Sequence, residues 1–269
     1  MAAPPRKKAP AGKRAAGAGT PVILITGASA GLGVDFARQL VGEGQKLVLV
    51  ARRRDRLDVL AAELGNARTV ECDLGAPSAV ARLMADIAAH GETVDLLINN
   101  AGFGLTGKFA ELDGARLRSM IDLNCGALTE LAHAVLPAMI ARRRGRIVNV
   151  ASTAAFQPGP GMAVYFATKA YVLSFSEALH EEVRRDGVTV TTLCPGPTAT
   201  EFGDVAGLPG HPLVDWLSQS SARVVATGLN ALSRRKAVVI PGLINRTAAQ
   251  AHRLLPRLIL RKIAGTIKL

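Results

Sequence analysis

Tyr165 and Lys169 stand four residues apart in a run, 164–185, with helical periodicity, so both side chains lie on one helix face and can meet a single ligand. A phenol ionises near pH ~10 and is a poor acid or base at neutrality, but an ammonium a few Å away favours the phenolate and is expected to pull that value down. The pair then becomes competent for proton transfer. Ser152 closes a strand-like run, 145–151, where its hydroxyl is placed to hydrogen-bond a substrate oxygen. The Tyr-x-x-x-Lys spacing alone equally describes a surface helix with a half-buried ring, so its weight depends on its company.

That company suits a dinucleotide. Gly27, Gly31 and Gly33 fall between a strand (21–26) and a helix, where missing side chains permit a tight turn and let a pyrophosphate approach backbone N–H groups at a helix N-terminus. Ser29 adds a hydroxyl to this loop, and Leu32 opens the helix. The second strand ends at Ala51, where folds that prefer NAD set an acid for the ribose 2′-hydroxyl; Arg52, Arg53 and Arg54 follow instead. A guanidinium suits a 2′-phosphate, which points to NADP(H) read by Arg52, with Arg53 and Arg54 expected to start a solvated helix. Asp73, followed by Leu74, is placed to accept a hydrogen bond from the adenine amino group, and Asn99, Asn100, Ala101 and Gly102 put small residues where the adenosine would pass. Asn124 lies inside a helical run, an unfavourable place that implies a hydrogen-bonding task or a bend. Pro195, Gly196 and Thr198 form a rigid turn whose hydroxyls, with that of Thr200, can reach a nicotinamide amide or the phosphates. His133, His180 and His211 have no evident chemical partner and read as structural or surface residues.

Positioning these groups requires a regular scaffold. Apolar, β-branched runs at 21–26, 46–51, 67–72, 94–99, 146–151, 188–194 and 237–241 alternate with helical stretches at 55–64, 78–89, 115–143, 164–185 and 220–233. Such alternation gives an α/β fold, one doubly wound parallel sheet of about seven strands with helices on both faces, right-handed crossovers, and ligands at the carboxyl ends of the strands. With 269 residues, 49% of them hydrophobic, the chain can bury a large core in a single domain, expected at 20–242. Cys72, Cys125 and Cys194 lie far apart in apolar runs, without metal-ligand spacing, which suits reduced thiols in the cytoplasm and no bound metal. No secretory pattern and no apolar run near the ~20 residues of a bilayer span is apparent.

The net charge of +12 is concentrated at the ends: five cations in 1–19 and six in 246–269, with no acid in either, supply eleven of the twelve charges. The nearly neutral body argues against a specific nucleic-acid function. Residues 1–19 read as a mobile basic tail, able at most to touch acidic lipid or RNA weakly. In 243–269, Leu254, Leu255, Leu258 and Ile259 share a side while Arg253, Arg257 and Arg261 repeat every four residues; this basic amphipathic extension is expected to dock on protein or to lie on a membrane surface.

Taken together, Thr26-Gly27-x-x-x-Gly31-x-Gly33, Asp73, Asn99-Asn100-Ala101-Gly102, Asn124, Ser152, Tyr165-x-x-x-Lys169 and Pro195-Gly196 resemble the short-chain dehydrogenase/reductase family in order and spacing, over about 20–242. The resemblance implies a Rossmann-like fold and an NADP(H)-dependent oxidoreductase, from the branch with Arg52 after the second strand. It implies Tyr165 as proton donor and acceptor, Lys169 holding the nicotinamide ribose and lowering the tyrosine pKa, Ser152 polarising a carbonyl, and Asn124 keeping a relay water. It also implies a homodimer or homotetramer through the 115–143 and 164–185 helices, with the C-terminal extension departing from the shortest members. Phe103, Gly104, the 156–162 loop and 197–217, with Phe202, Leu208 and Trp216, would select the substrate. They are mostly apolar, suggesting a lipophilic ketone, aldehyde, alcohol or 3-oxoacyl group. The other reading is a non-catalytic NADP(H)-binding sensor or scaffold, which the complete set of four catalytic residue types disfavours.

Overall fold

The computed structural model describes residues 19–208, 218–251, 258–259 and 261. The expectations for the tail at 1–18, for His211 and Trp216, and for most of the segment after Ala251 lie outside the described residues.

Seven strands form one parallel sheet in the order β3-β2-β1-β4-β5-β6-β9: β1 Thr20–Thr26, β2 Lys46–Ala51, β3 Ala67–Glu71, β4 Glu92–Asn99, β5 Gly145–Val150, β6 Val188–Leu193 and β9 Val238–Val239. The central strands carry apolar runs because both faces are covered, although β4, β5 and β6 also bury Asp95, Asn149 and Thr191. On one face, Ile23, Ile25, Leu47, Leu49 and Leu96 pack against Phe36 and Leu40 of α1 (Gly31–Leu40) and Leu57 of α2 (Arg54–Leu64). On the other, Val22, Leu24, Val48, Val50 and Leu97 meet Leu83 of α3 (Ala79–Ala89), Leu131 and Val135 of α5 (Leu128–Ala141), and Val183 of α6 (Ala163–Val183). Each such side chain contributes about 1.5–3 kcal/mol on burial. The sheet switches direction between β1 and β4, and the cleft at the carboxyl ends of these strands is where a parallel sheet of this order binds ligands.

The sheet and most helices fall where the sequence placed them. The helix expected at 115–143 is broken into α4 (Gly114–Ile121) and α5 by a π-helical turn, Asp122–Ala127. From Gly114 to Ala141 it has the length and apolarity of a membrane span, against the expectation of no such run, but Met120, Leu131, Val135 and Met139 bury its apolar side in the core. After β6, β7 (Thr198–Ala199) pairs with β8 (Gln219–Ser220) in a separate two-stranded ladder, with α7 (Phe202–Ala206) between them. The helix α8 (Ser221–Ser233) returns to the sheet, and α9 (Leu243–Ala251) follows β9.

Candidate active site

The glycine loop is built as a cradle. Gly27 has φ +65°, and a Cβ there would lie 2.8 Å from Asn100 Nδ2; a Cβ on Gly33 would collide with the Gly27 carbonyl. The loop therefore packs backbone against backbone, with α1 beginning at Gly31 and its first N–H groups open to an anion. Thr26 fixes the loop to β4: its hydroxyl donates to Ile98 O (3.2 Å) and accepts from the N–H groups of Asn100 and Ala101, both at 3.0 Å. Asn100 Nδ2 donates to Thr26 O (3.0 Å) and Gly27 O (3.2 Å). Leu32 packs on the core under the loop, and the Leu74 side chain is itself a core residue, so a ligand above it meets only main chain. Asp73 is exposed, and its carboxylate accepts from Gly75 N at 3.1 Å.

The arginines after β2 are placed differently from the expectation. Arg52 is exposed, whereas Arg53 turns back over the glycine loop and donates to Ser29 Oγ at 3.1–3.2 Å and to Glu201 at 3.0 Å. Arg53 is thus part of the cradle and not the start of a solvated helix face. Its backbone, φ −89° and ψ 89°, lies outside the helix that starts at Arg54, and this swings the side chain inward. Nothing in a run of three arginines distinguishes which one turns.

At the other end of the cleft, α6 brings Tyr165 and Lys169 onto its buried face, 8% and 6% exposed. Lys169 Nζ lies 5.7 Å from the centre of the Tyr165 ring and donates to Val150 O, at the end of β5, at 2.9 Å. Ser152 caps a 3-10 turn, Thr153–Phe156, by accepting from Ala154 N at 3.1 Å, donates to Pro195 O at 3.4 Å, and its nearness to the Tyr165 phenol favours the phenolate. Burial pushes the phenol up to about 12, with Ser152 opposing it. Burial also pushes the Lys169 ammonium down to about 8. This corrects the expectation that the lysine lowers the tyrosine pKa: desolvation dominates both groups, and the lysine is bonded to a backbone carbonyl. A neutral phenol beside a serine hydroxyl can give a proton to an oxygen that both reach.

Asn124 sits in the π-helical turn, 1% exposed. Its Nδ2 donates to Phe103 O (2.9 Å) and Thr168 Oγ1 (3.1 Å), and its Oδ1 accepts from Phe103 N (3.1 Å). Both amide protons and the carbonyl are engaged, so the side chain positions the 101–104 loop where the resemblance implied a water-holding task. Gly102 lies in that loop beside both groups: a Cβ on it would be 2.9 Å from Asn124 Oδ1 and 3.6 Å from Lys169 Nζ. Gly196, after Pro195, is covered by the Asn245 side chain of α9, and Thr198 Oγ1 donates to Gly196 O at 2.9 Å. Asn245 carried no signal in the sequence, because its partner is 49 residues away in the chain.

Over Tyr165 stands an apolar wall of Leu105, Leu112, Met162, Phe202, Ala206 and Leu208, with the Phe202 ring centre 5.2 Å from that of Tyr165. Among the described members of this cluster none is charged.

Comparisons with known proteins agree with this geometry. YdfG of Salmonella typhi, an NADP-dependent 3-hydroxy acid dehydrogenase, is 40% identical over 187 residues, which cover 68% of this chain and 75% of that one. A short-chain dehydrogenase from Sphingobium yanoikuyae in complex with NADPH superposes with a TM-score of 0.77 at 35% identity, over 87% of this chain and 94% of that one. The bulky-bulky ketone specific alcohol dehydrogenase of Comamonas testosteroni gives a TM-score of 0.74 at 31% identity, over 87% and 92%. The pattern that defines the short chain dehydrogenase family matches residues 21–207, which include six of the seven strands, and the chain belongs to that family.

Proposed function

We propose that the protein is an NADP(H)-dependent oxidoreductase that moves a hydride between the nicotinamide and the carbonyl carbon of a lipophilic ketone, aldehyde or 3-oxoacyl group, with the secondary alcohol as the reverse substrate. The observation that carries this reading is Tyr165 buried beside Ser152 and Lys169 under an apolar wall, at the end of a glycine cradle flanked by Arg53. The cradle fits a dinucleotide because Gly27 and Gly33 leave backbone where any side chain would intrude. The NADPH complex of the Sphingobium relative and the NADP dependence of YdfG support the choice of cofactor.

Bound NADP(H) supplies or takes up the hydride. In reduction, Ser152 and Tyr165 hold the carbonyl oxygen, and Tyr165 gives its proton to the alkoxide as negative charge develops there. A phenol raised by burial is fully protonated at neutrality and ready for that step. Oxidation is the same step reversed: the Tyr165 phenolate, the form left once the proton has gone, takes the alcohol proton as hydride leaves the carbon. Lys169 keeps the end of β5 and the face of α6 together, and Asn124 holds the 101–104 loop against both. Donors set where charge appears, together with alignment of the two reactants, supply most of the rate.

The described residues of the wall are apolar and would grip a hydrocarbon body more than a carboxylate. This favours a bulky ketone, of the kind named for the Comamonas relative, over the 3-hydroxy acids named for YdfG. The residues exposed on α6, including Tyr171 stacked on Phe175, support assembly of two or four copies through α5 and α6. The test is NADPH oxidation against a panel of aryl ketones, long-chain 3-oxoacyl thioesters and short 3-oxo acids. Lipophilic carbonyls are expected to give the higher kcat/KM; turnover confined to the short acids would contradict the substrate assignment, and oxidation with none of them would return the sensor reading.

A further inference from the structure

The segment that follows β6 does more than wall the substrate site: it is tied to the arginines at the far, adenosine end of the cleft. Glu201 Oε2 accepts from Arg53 at 3.0 Å and Glu201 Oε1 accepts from Arg56, in α2, at 2.6 Å. Arg53 at the same time donates to Ser29 in the glycine loop. One residue earlier, Thr200 lies over that loop, so that a Cβ on Gly31 would be 3.0 Å from Thr200 Cγ2. One residue later, Phe202 leans on Tyr165 and on Gly104. Three consecutive residues thus join the arginine pair, the pyrophosphate loop and the catalytic tyrosine.

We propose that the Glu201 carboxylate occupies the anion seat that the cofactor's 2′-phosphate takes, so that NADP(H) displaces it and frees the 198–206 segment from the glycine loop, whereas NAD(H) leaves the contact in place. The proposal rests on the NADP(H) reading above. A carboxylate held between two guanidiniums is the chemistry a phosphate monoester would meet there, and the phosphate competes well because it brings nearly two charges and three acceptor oxygens to the same donors. The two arginines hold the Glu201 carboxyl below the ordinary range, Arg56 more than Arg53, so it stays anionic throughout the working pH range. The side chains of all three residues are 41–45% exposed, which keeps the ion pairs weak and exchangeable. Glu201 is then a specificity-determining residue: its release by one cofactor and not the other couples phosphate recognition to the Phe202 ring above Tyr165.

The experiment is equilibrium binding of NADPH and NADH to the full chain, followed by nicotinamide fluorescence, with amide hydrogen exchange over 201–208 as a second readout. Removing the competing carboxylate by Glu201→Gln should tighten NADPH roughly three- to tenfold, the range set by two exposed ion pairs, and leave NADH within about twofold. In the unaltered chain, 2′,5′-ADP should speed exchange over 201–208 while 5′-AMP does not, and Glu201→Gln should abolish that difference. Weaker or unchanged NADPH binding in Glu201→Gln would overturn the proposal, showing that the carboxylate organises the arginines or does nothing. The double variant Arg53→Ala/Arg56→Ala separates the two levels: loss of the NADPH preference with no tightening in Glu201→Gln sinks the displacement alone, and a preference that survives the double variant sinks the phosphate reading and the displacement with it.

Discussion

A phenol and an amine buried side by side each resist charge, and the site depends on that resistance. The Lys169 pKa is lowered to about 8 from 10.5 in the folded chain, so between these values the unfolded chain binds more protons and the native state gains stability as pH rises. Below about 8 both states are protonated and the cost of burying the ammonium is fully present. The unfolding free energy of the unaltered chain minus that of Lys169→Met, from urea melts at several pH values, should therefore rise between pH 8 and 10.5. A difference flat with pH would mean that the ammonium is not desolvated. Ser152 opposes the upward shift of Tyr165, and in the proposed mechanism its hydroxyl also donates to the carbonyl oxygen. Ser152→Ala should lower kcat by roughly 10²–10³ with little change in NADPH affinity, as for loss of one oxyanion donor. The four-residue spacing of Tyr165 and Lys169 was readable because a helix fixes it, and Ser152 because it ends a strand. The choice between Arg52 and Arg53 was not, since two adjacent residues leaving a strand are separated only by the backbone angle at Arg53.

At the scale of elements, the π-helical turn is the most informative departure from the sequence. Inserting one residue into the ladder lets Asn124 turn inward and satisfy both main-chain groups of Phe103 without disturbing the apolar stripes of α4 and α5. Asparagine in a helical run signalled that something happened there; the extra residue left no trace in the hydrophobic period. Asn124→Leu should leave the Phe103 N–H and C=O without partners, cost about 1–3 kcal/mol in a urea melt, and raise the KM for NADPH by loosening the 101–104 loop. Unchanged stability would show that the loop is held by other contacts. The strands were readable for a plain reason: covered on both faces, the centre of the sheet shows as apolar runs, Val22 to Ile25 in β1, Leu47 to Val50 in β2 and Leu96 to Ile98 in β4. The β7–β8 ladder was not, because two residues per strand carry no periodicity and the pair is 21 residues apart in sequence.

For the molecule as a whole, the ligand cleft lies where the sheet order reverses, and the groups that meet there come from β1, β2, β4, β5, β6 and α6. Sheet hydrogen bonds already join the strands to one another, and a bound dinucleotide would add a further tie across their carboxyl ends. Saturation at 100 times Kd adds about 2.7 kcal/mol to the native state, which for a chain of this size raises Tm by roughly 5–10 °C. NADPH is expected to give that shift and an equal concentration of NADH a smaller one; equal shifts would contradict the reading of the arginines. The alternation of strand and helix revealed this architecture, since only a doubly wound sheet accommodates seven buried strands with helices between them. The long-range ties, from Asn245 to Gly196 and from Glu201 to Arg53, are products of the tertiary fold and have no local signature.

The central claim is that the Tyr165 phenol delivers its proton to the oxygen of a carbonyl whose carbon takes hydride from bound NADPH. Single-turnover hydride transfer in Tyr165→Phe, with NADPH affinity measured on the same sample, tests it most directly. The account predicts affinity within about twofold of the unaltered chain and transfer slowed by roughly 10²–10⁴, the usual contribution of a positioned acid. Transfer at the original rate, with the cofactor bound and the phenol gone, would contradict it.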